Sequence, residues 1–156
     1  MMAQEGSLYK SILVPLDGSE LAERALPHAL GIGRCMGSQL WLVRVCLSQF
    51  YAFSPAGDGP LYSEEALEAD RRAAAEYLAR VRAQFNCPDV AGMTEVLSGP
   101  VAETIIDYAR ANRIDLIVMS THGRSGLSRW VYGSVTDKVL RGATCPTLIV
   151  RGQSAD

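Results

Sequence analysis

Five short apolar runs, separated by stretches of helical periodicity, constrain this chain more than any other feature of its sequence. The runs are SILVPL (Ser11 to Leu16), QLWLVRVCL (Gln39 to Leu47), a weaker one near Met93 to Leu97, DLIVM (Asp115 to Met119) and PTLIV (Pro146 to Val150). QLWLVRVCL is apolar at successive positions, so both of its faces need cover, as in a parallel strand lying between helices. The order β-α-β-α-β-α-β-α-β predicts an α/β fold: an open, mainly parallel sheet with helices on both faces.

The connecting segments sharpen this expectation. Asp17-Gly18-Ser19-Glu20 reads as a turn and helix start, in which Asp17 or Ser19 accepts a free N–H and Glu20 suits the first turn. That helix is expected to run to about Gly31 or Gly33, kinked by Pro27. From Ser63 to Phe85, the positions Leu67, Ala74, Leu78, Val81 and Phe85 form one apolar face, with Pro88 as a stop signal. Gly99-Pro100 opens a further helix striped by Val101, Ile105 and Tyr108 or Ala109. The last helix carries Val131, Val135 and Val139, with Lys138 and Arg141 in its final turn. The segment 48–62 is long for a connection and holds Phe50, Tyr51 and Phe53. It reads either as a surface loop pinned by aromatics or as a lid.

Length and charge narrow the class. A chain of 156 residues suits one domain with a substantial core. A formal net charge of −2 gives no electrostatic case for nucleic acid or membrane binding. Cys35, Cys46, Cys87 and Cys145 form no C-x-x-C pair, and His28 and His122 stand at unrelated spacings, so no zinc site is expected. The thiols fit a reducing compartment. With neither a signal-peptide pattern nor an apolar stretch of ~18 residues, the expected location is cytoplasmic.

The segment from Ser120 to Ser134, STHGRSGLSRWVYGS, carries the most chemistry. It starts where an apolar strand ends and finishes where a helix begins, and parallel α/β sheets bind ligands at the carboxyl ends of their strands. Glycines let a backbone approach a ligand closely, and a helix N-terminus favours phosphate. Ser120, Thr121, Ser128 and Ser134 add hydroxyl donors, and Arg124 and Arg129 can counter phosphate charge. The same composition also suits a plain strand-to-helix connection. The segment matches neither a Walker A loop nor G-x-G-x-x-G.

Read through to the end of the last apolar run, as T-H-G-R-S-G-L-S-R-x-x-x-G-S-V-x-x-K-V-L-R and then Cys-Pro and PTLIV, this part of the chain resembles the universal stress protein family. K-S-I-L-V-P-L-D-G-S-E resembles that family's first strand and turn, and W-L-V-R-V its second strand. The resemblance covers about residues 9 to 151, the expected core of a single domain spanning 1–156. It implies a Rossmann-like fold of the adenine nucleotide alpha hydrolase type, a five-stranded parallel sheet in the order 3-2-1-4-5. It also implies ATP as ligand, with Mg²⁺. The ATP-binding branch carries G-x-x-G, nine residues, then G-S or G-T. Gly123, the nine residues from Arg124 to Tyr132, and Gly133-Ser134 fit this pattern, whereas Ser120 stands where the first glycine belongs. Carried over by position, the resemblance puts Pro15 and Asp17 beside the adenosine and has the Val45 backbone read the adenine edge. Gly123, Gly133, Ser134 and Val135 become the cradle for phosphate and ribose. Asp17 keeps its reading as a helix cap, and His122 either faces the ligand or packs structurally.

The loop from Ser120 to Ser134 contains serines but no G-x-S-x-G elbow and no Ser-x-x-Lys pair. The leading expectation is therefore an ATP-binding stress protein, a nucleotide-responsive homodimer paired through its last strand, with at most slow hydrolysis. The alternatives are a nucleotide-hydrolysing or nucleotidyl-transferring enzyme and a ligand-free interaction module.

Overall fold

The computed structural model describes residues 7–46, 63–85, 90–122 and 133–152. Five strands, β1 (Ser11–Pro15), β2 (Gln39–Cys46), β3 (Gly92–Ser98), β4 (Leu116–His122) and β5 (Thr147–Gly152), alternate with helices α1 (Glu20–Glu23), α2 (Ala25–Met36), α3 (Glu64–Gln84), α4 (Val101–Ala111) and α5 (Ser134–Gly142). All strand pairs are parallel, in the order β3-β2-β1-β4-β5. The sheet order implied by the family resemblance is thus the one observed.

The alternation of side chains along each strand builds two cores. Ile12, Val14, Leu40, Leu42, Leu116 and Val118 point to the side covered by α2 and α3. Leu13, Val43, Ile117 and Met119 point to the other side, under Ala102, Ile105 and Ala109 of α4 and Val139 of α5. Strand β1 is buried on both faces, and its entry is laced to that of β4. The Asp115 carboxylate accepts the backbone N–H groups of Lys10 at 2.8 Å and Ser11 at 2.9 Å, and the Asp115 N–H donates to the Ser11 carbonyl at 2.9 Å.

Several expectations need correction. The first helix is two helices. Pro27 has no N–H for the carbonyl of Glu23 and its ring crowds that carbonyl, so the chain breaks at Arg24 instead of bending at Pro27. The second piece does not stop at Gly31 or Gly33. It buries Ala25, Leu26, Ala29 and Gly33 against the sheet and ends at Met36, where Gly37 takes the left-handed conformation at φ 67°. Strand β4 does not end at Met119. Ladder pairing with β5 carries it through Ser120, Thr121 and His122, opposite Val150, Arg151 and Gly152. On α4 the buried stripe is Ala102, Ile105 and Ala109, while Val101 is exposed. Helix α3 buries Ala74, Leu78 and Val81 as the periodicity predicts, and Tyr77 with them. Val131, Pro88 and the segment 48–62 lie outside the described residues.

Ile117, fully buried between the two helix layers, is the position at which packing is tested most directly. Ile117→Ala should lower unfolding free energy by about 2–5 kcal/mol in urea denaturation. Leu8→Ala, at a side chain 70% exposed, should stay within about 0.5 kcal/mol of the parent.

Candidate functional site

The two strands at the centre of the sheet part company early. β1 and β4 pair only at Ile12–Leu116 and Leu13–Ile117, whereas β1 stays with β2 as far as Pro15–Val43 and onward through the bond from Leu16 N–H to the Val43 carbonyl at 2.8 Å. The chain leaves β1 toward one face and β4 toward the other, which makes this the point where the strand order reverses and where open α/β sheets hold ligands. A cleft of about 360 Å³ opens there.

One wall comes from the turn after β1. Gly18 turns the chain at φ 90°, a conformation costly for any other residue, and a side chain on it would also meet the Arg44 guanidinium at 3.1 Å. Asp17 Oδ1 accepts both the N–H of Ser19 at 2.9 Å and its hydroxyl at 2.6 Å. Ser19 in turn caps α1, its Oγ accepting the Ala22 N–H at 3.1 Å. Of the two cap candidates in the sequence, Ser19 is the helix cap, while Asp17 bonds Ser19 within the turn and does not cap the helix itself. Asp17 Oδ2 has no further partner among the described residues.

The opposite wall is the start of α5. Gly133 stands at its N-cap with no side-chain cap, and the first helical bond runs from Asp137 N–H to the Gly133 carbonyl at 2.9 Å. Among the described residues, the N–H groups of Ser134, Val135 and Thr136 have no bond partner, and they stand at the positive end of the helix dipole. A Cβ built on Gly133 meets nothing within 4 Å, so packing does not require glycine there. Thr121, nearly fully buried, ties the end of β4 to this cap by a long bond of 3.4 Å from Gly133 N–H to its Oγ1.

Of the residues singled out in the sequence, Pro15, Asp17, Val45, Ser120, Gly133, Ser134 and Val135 all border this one cleft. His122 is the last residue of β4; Gly123 and Arg124 lie outside the described residues. Sequence reasoning missed Leu21 and Ala22 on α1, Val101 and Ile105 on α4, Met119 and Thr136. The usable signal was Val101, an apolar residue in the first turn of a helix that starts at the carboxyl end of β3.

A network outside the cleft holds α1 in place. The Tyr77 hydroxyl of α3 donates to Glu23 Oε1 at 2.9 Å, and the Arg44 guanidinium lies over the Tyr77 ring, 5.4 Å from its centre. Burial, reinforced by the bond to Glu23, holds the Tyr77 hydroxyl protonated well above its usual range.

Comparison with known proteins places this geometry in a family. The sequence profile described as the Universal stress protein family matches residues 8–151. Universal stress protein MJ0531 of Methanocaldococcus jannaschii is 33% identical over 153 residues, covering 93% of this chain and 84% of its own length. Among solved structures, a protein from the universal stress protein family of Burkholderia pseudomallei superposes with a TM-score of 0.69 at 31% identity, covering 93% of this chain and 98% of that one. At lower identity, where the likeness is one of fold, stand two complexes. A universal stress protein with cAMP has 22% identity and a TM-score of 0.61, covering 93% of this chain and 98% of that one. The Archaeoglobus fulgidus protein with dAMP has 19% identity and a TM-score of 0.60, covering 91% and 98%.

The tether of α1 can be tested through its hydroxyl. Tyr77→Phe should lower stability by roughly 1 kcal/mol at neutral pH, by urea denaturation. In the parent, the unfolded chain releases the Tyr77 proton near pH 10 while the folded chain holds it to higher pH, so stability falls as pH rises past about 10. Tyr77→Phe should remove part of that alkaline fall. Tyr108, whose hydroxyl is likewise raised by burial and by its bond to Glu95, and the Cys46 and Cys145 thiols, raised first by burial, share in the rest.

Proposed function

This chain belongs to the universal stress protein family, and from that premise we propose that its cleft binds an adenine nucleotide, ATP with Mg²⁺, so that occupancy governs a cytoplasmic homodimer. The observation that carries the reading is the set of chemistries in the cleft. Among the described residues, a carboxylate with one oxygen unpartnered lies on the β1 side, a helix N-terminus without a side-chain cap lies on the α5 side, and the apolar Val45, Val101, Ile105 and Met119 line the same cleft. A nucleotide presents the matching set, since its sugar hydroxyls donate to carboxylate, its base is flat and largely apolar, and its phosphates suit a helix N-terminus. The cleft volume lies in the ordinary range for small-ligand sites. Relatives of the same fold carry cAMP and dAMP.

In this reading Pro15, Asp17 and the Val45 backbone face the adenosine. Gly123, Gly133, Ser134 and Val135 cradle the phosphates, with Ser120, His122 and Arg124 at the rim. Among the described residues no group of three or more His, Cys, Asp or Glu side chains could hold a metal. Mg²⁺ accordingly enters on the phosphates rather than in a protein cage. Strand β5 supports the dimer through its exposed edge. Among the described residues it pairs with β4 alone, its other edge is open, and Leu148 is 37% exposed.

Calorimetric titration of ATP with Mg²⁺ into nucleotide-free protein should show binding, and absence of binding at about millimolar ATP would sink the proposal. Gly133→Val should fold, losing about 1 kcal/mol or less for a poorer cap, yet bind ATP at least about tenfold more weakly because the new side chain stands in the cleft. For the dimer, sedimentation should find the parent as two copies and Leu148→Asp as one, since a charge on the shared edge opposes strand pairing.

A further inference from the structure

Ser120 stands where the family pattern has glycine, and its side chain raises a question that glycine would not. The residue is half-buried on the cleft wall, yet its Oγ is closed off from solvent and has no hydrogen-bond partner among the described residues. An unpaired buried hydroxyl is unfavourable, and a polar group left in this state marks a missing partner. Alternation along β4 sends Ser120 to the same face as Val118, beside Val150 of β5 and toward α1. Its companions on the cleft there are Leu16, Leu21 and Ala22. Thr121, pointing to the other face, is the residue that meets the start of α5.

This placement decides what the hydroxyl can read. A phosphate would sit among aliphatic side chains on the Asp17 side of the cleft, and none of the described residues lining the cleft is Lys or Arg. A sugar hydroxyl is neutral and both donates and accepts. Asp17 Oδ2 can only accept, and Ser120 Oγ can donate once a turn about χ1 aims it into the cleft. Two neighbouring sugar hydroxyls satisfy both groups together, one donating to the carboxylate and the other accepting from the serine.

We propose that Ser120 is a specificity-determining residue that reads the ribose of the bound nucleotide, making the cleft select ribonucleotides over deoxyribonucleotides. The inference rests on the nucleotide reading above. A site that offers a buried hydroxyl to a ligand hydroxyl disfavours the analogue lacking it, because its own group is then left unpaired.

The test titrates ATP, 2′-deoxy-ATP and 3′-deoxy-ATP, each with Mg²⁺, against the parent, Ser120→Ala and Ser120→Gly. The parent should bind ATP about tenfold more tightly than at least one deoxy analogue. In both variants that preference should shrink to within about twofold, while affinity for the disfavoured analogue holds or improves. Thermal melting of free Ser120→Ala should match or exceed the parent, because the unpaired hydroxyl is gone, whereas Ser120→Gly adds the cost of glycine's freedom within a strand. Any preference over the other analogue, which Asp17 confers, should stay in both variants; equal affinities in the parent, preferences that are all unchanged in Ser120→Ala, or a uniform loss for all three ligands would overturn the proposal and leave nucleotide binding intact. A parent that binds none of the three removes both readings at once.

Discussion

The contact between β1 and β4 lasts for two residue pairs, and the site depends on where it stops. Asp115 clamps the two strands at their entry, Ile12–Leu116 and Leu13–Ile117 complete the shared ladder, and beyond them each strand keeps only its outer neighbour. The wedge left between them cannot be filled from within, because Val14 and Met119 are already committed to opposite cores. Its two sides are then finished by whatever the chain does next: a turn and a short helix after β1, the start of α5 after β4. Burial of a doubly covered sheet thus produces both the rigid frame and the gap in it.

The frame is legible in the sequence because its signals are local and redundant. Apolar runs such as Gln39 to Leu47 need two covered faces, and Ala74, Leu78 and Val81 repeat at helical spacing. The misplacements fall where a local signal competes with a distant partner. Ser120 and Thr121 read as loop residues by composition, yet pairing with Val150 and Arg151 holds them in the strand. Gly31 and Gly33 read as stops, yet burial of Ala29 and Gly33 against the sheet carries α2 past them. Pro27 is a plain signal of disruption, but its effect lies upstream, at Arg24.

For the site, residue identity is more legible than environment. Motif positions name Pro15, Asp17, Val45, Gly133, Ser134 and Val135, and these converge on one cleft. The contributions of α1 and α4 are invisible, because Leu21, Val101 and Ile105 are ordinary apolar residues until the fold turns them toward the gap. Ser120 is the sharpest case. In sequence it is a departure from a glycine pattern, and only burial without a partner shows it as a hydroxyl in want of an acceptor.

The break at Arg24 has a mechanical consequence. Four residues are too few to sustain a helix by their own ladder, so α1 keeps its shape through Ser19 at one end, the Glu23–Tyr77 bond at the other, and the contact of Leu21 and Ala22 with the cleft. Because Pro27 lacks the N–H that would have bonded the Glu23 carbonyl, α1 and α2 are separate segments of backbone, yet α1 is seated on the core: Ala22 packs against it and Leu21 lies against Gly152 at the end of β5. This side of the cleft is thus a tile set into the sheet by its own side chains rather than the first turn of the helix that follows it.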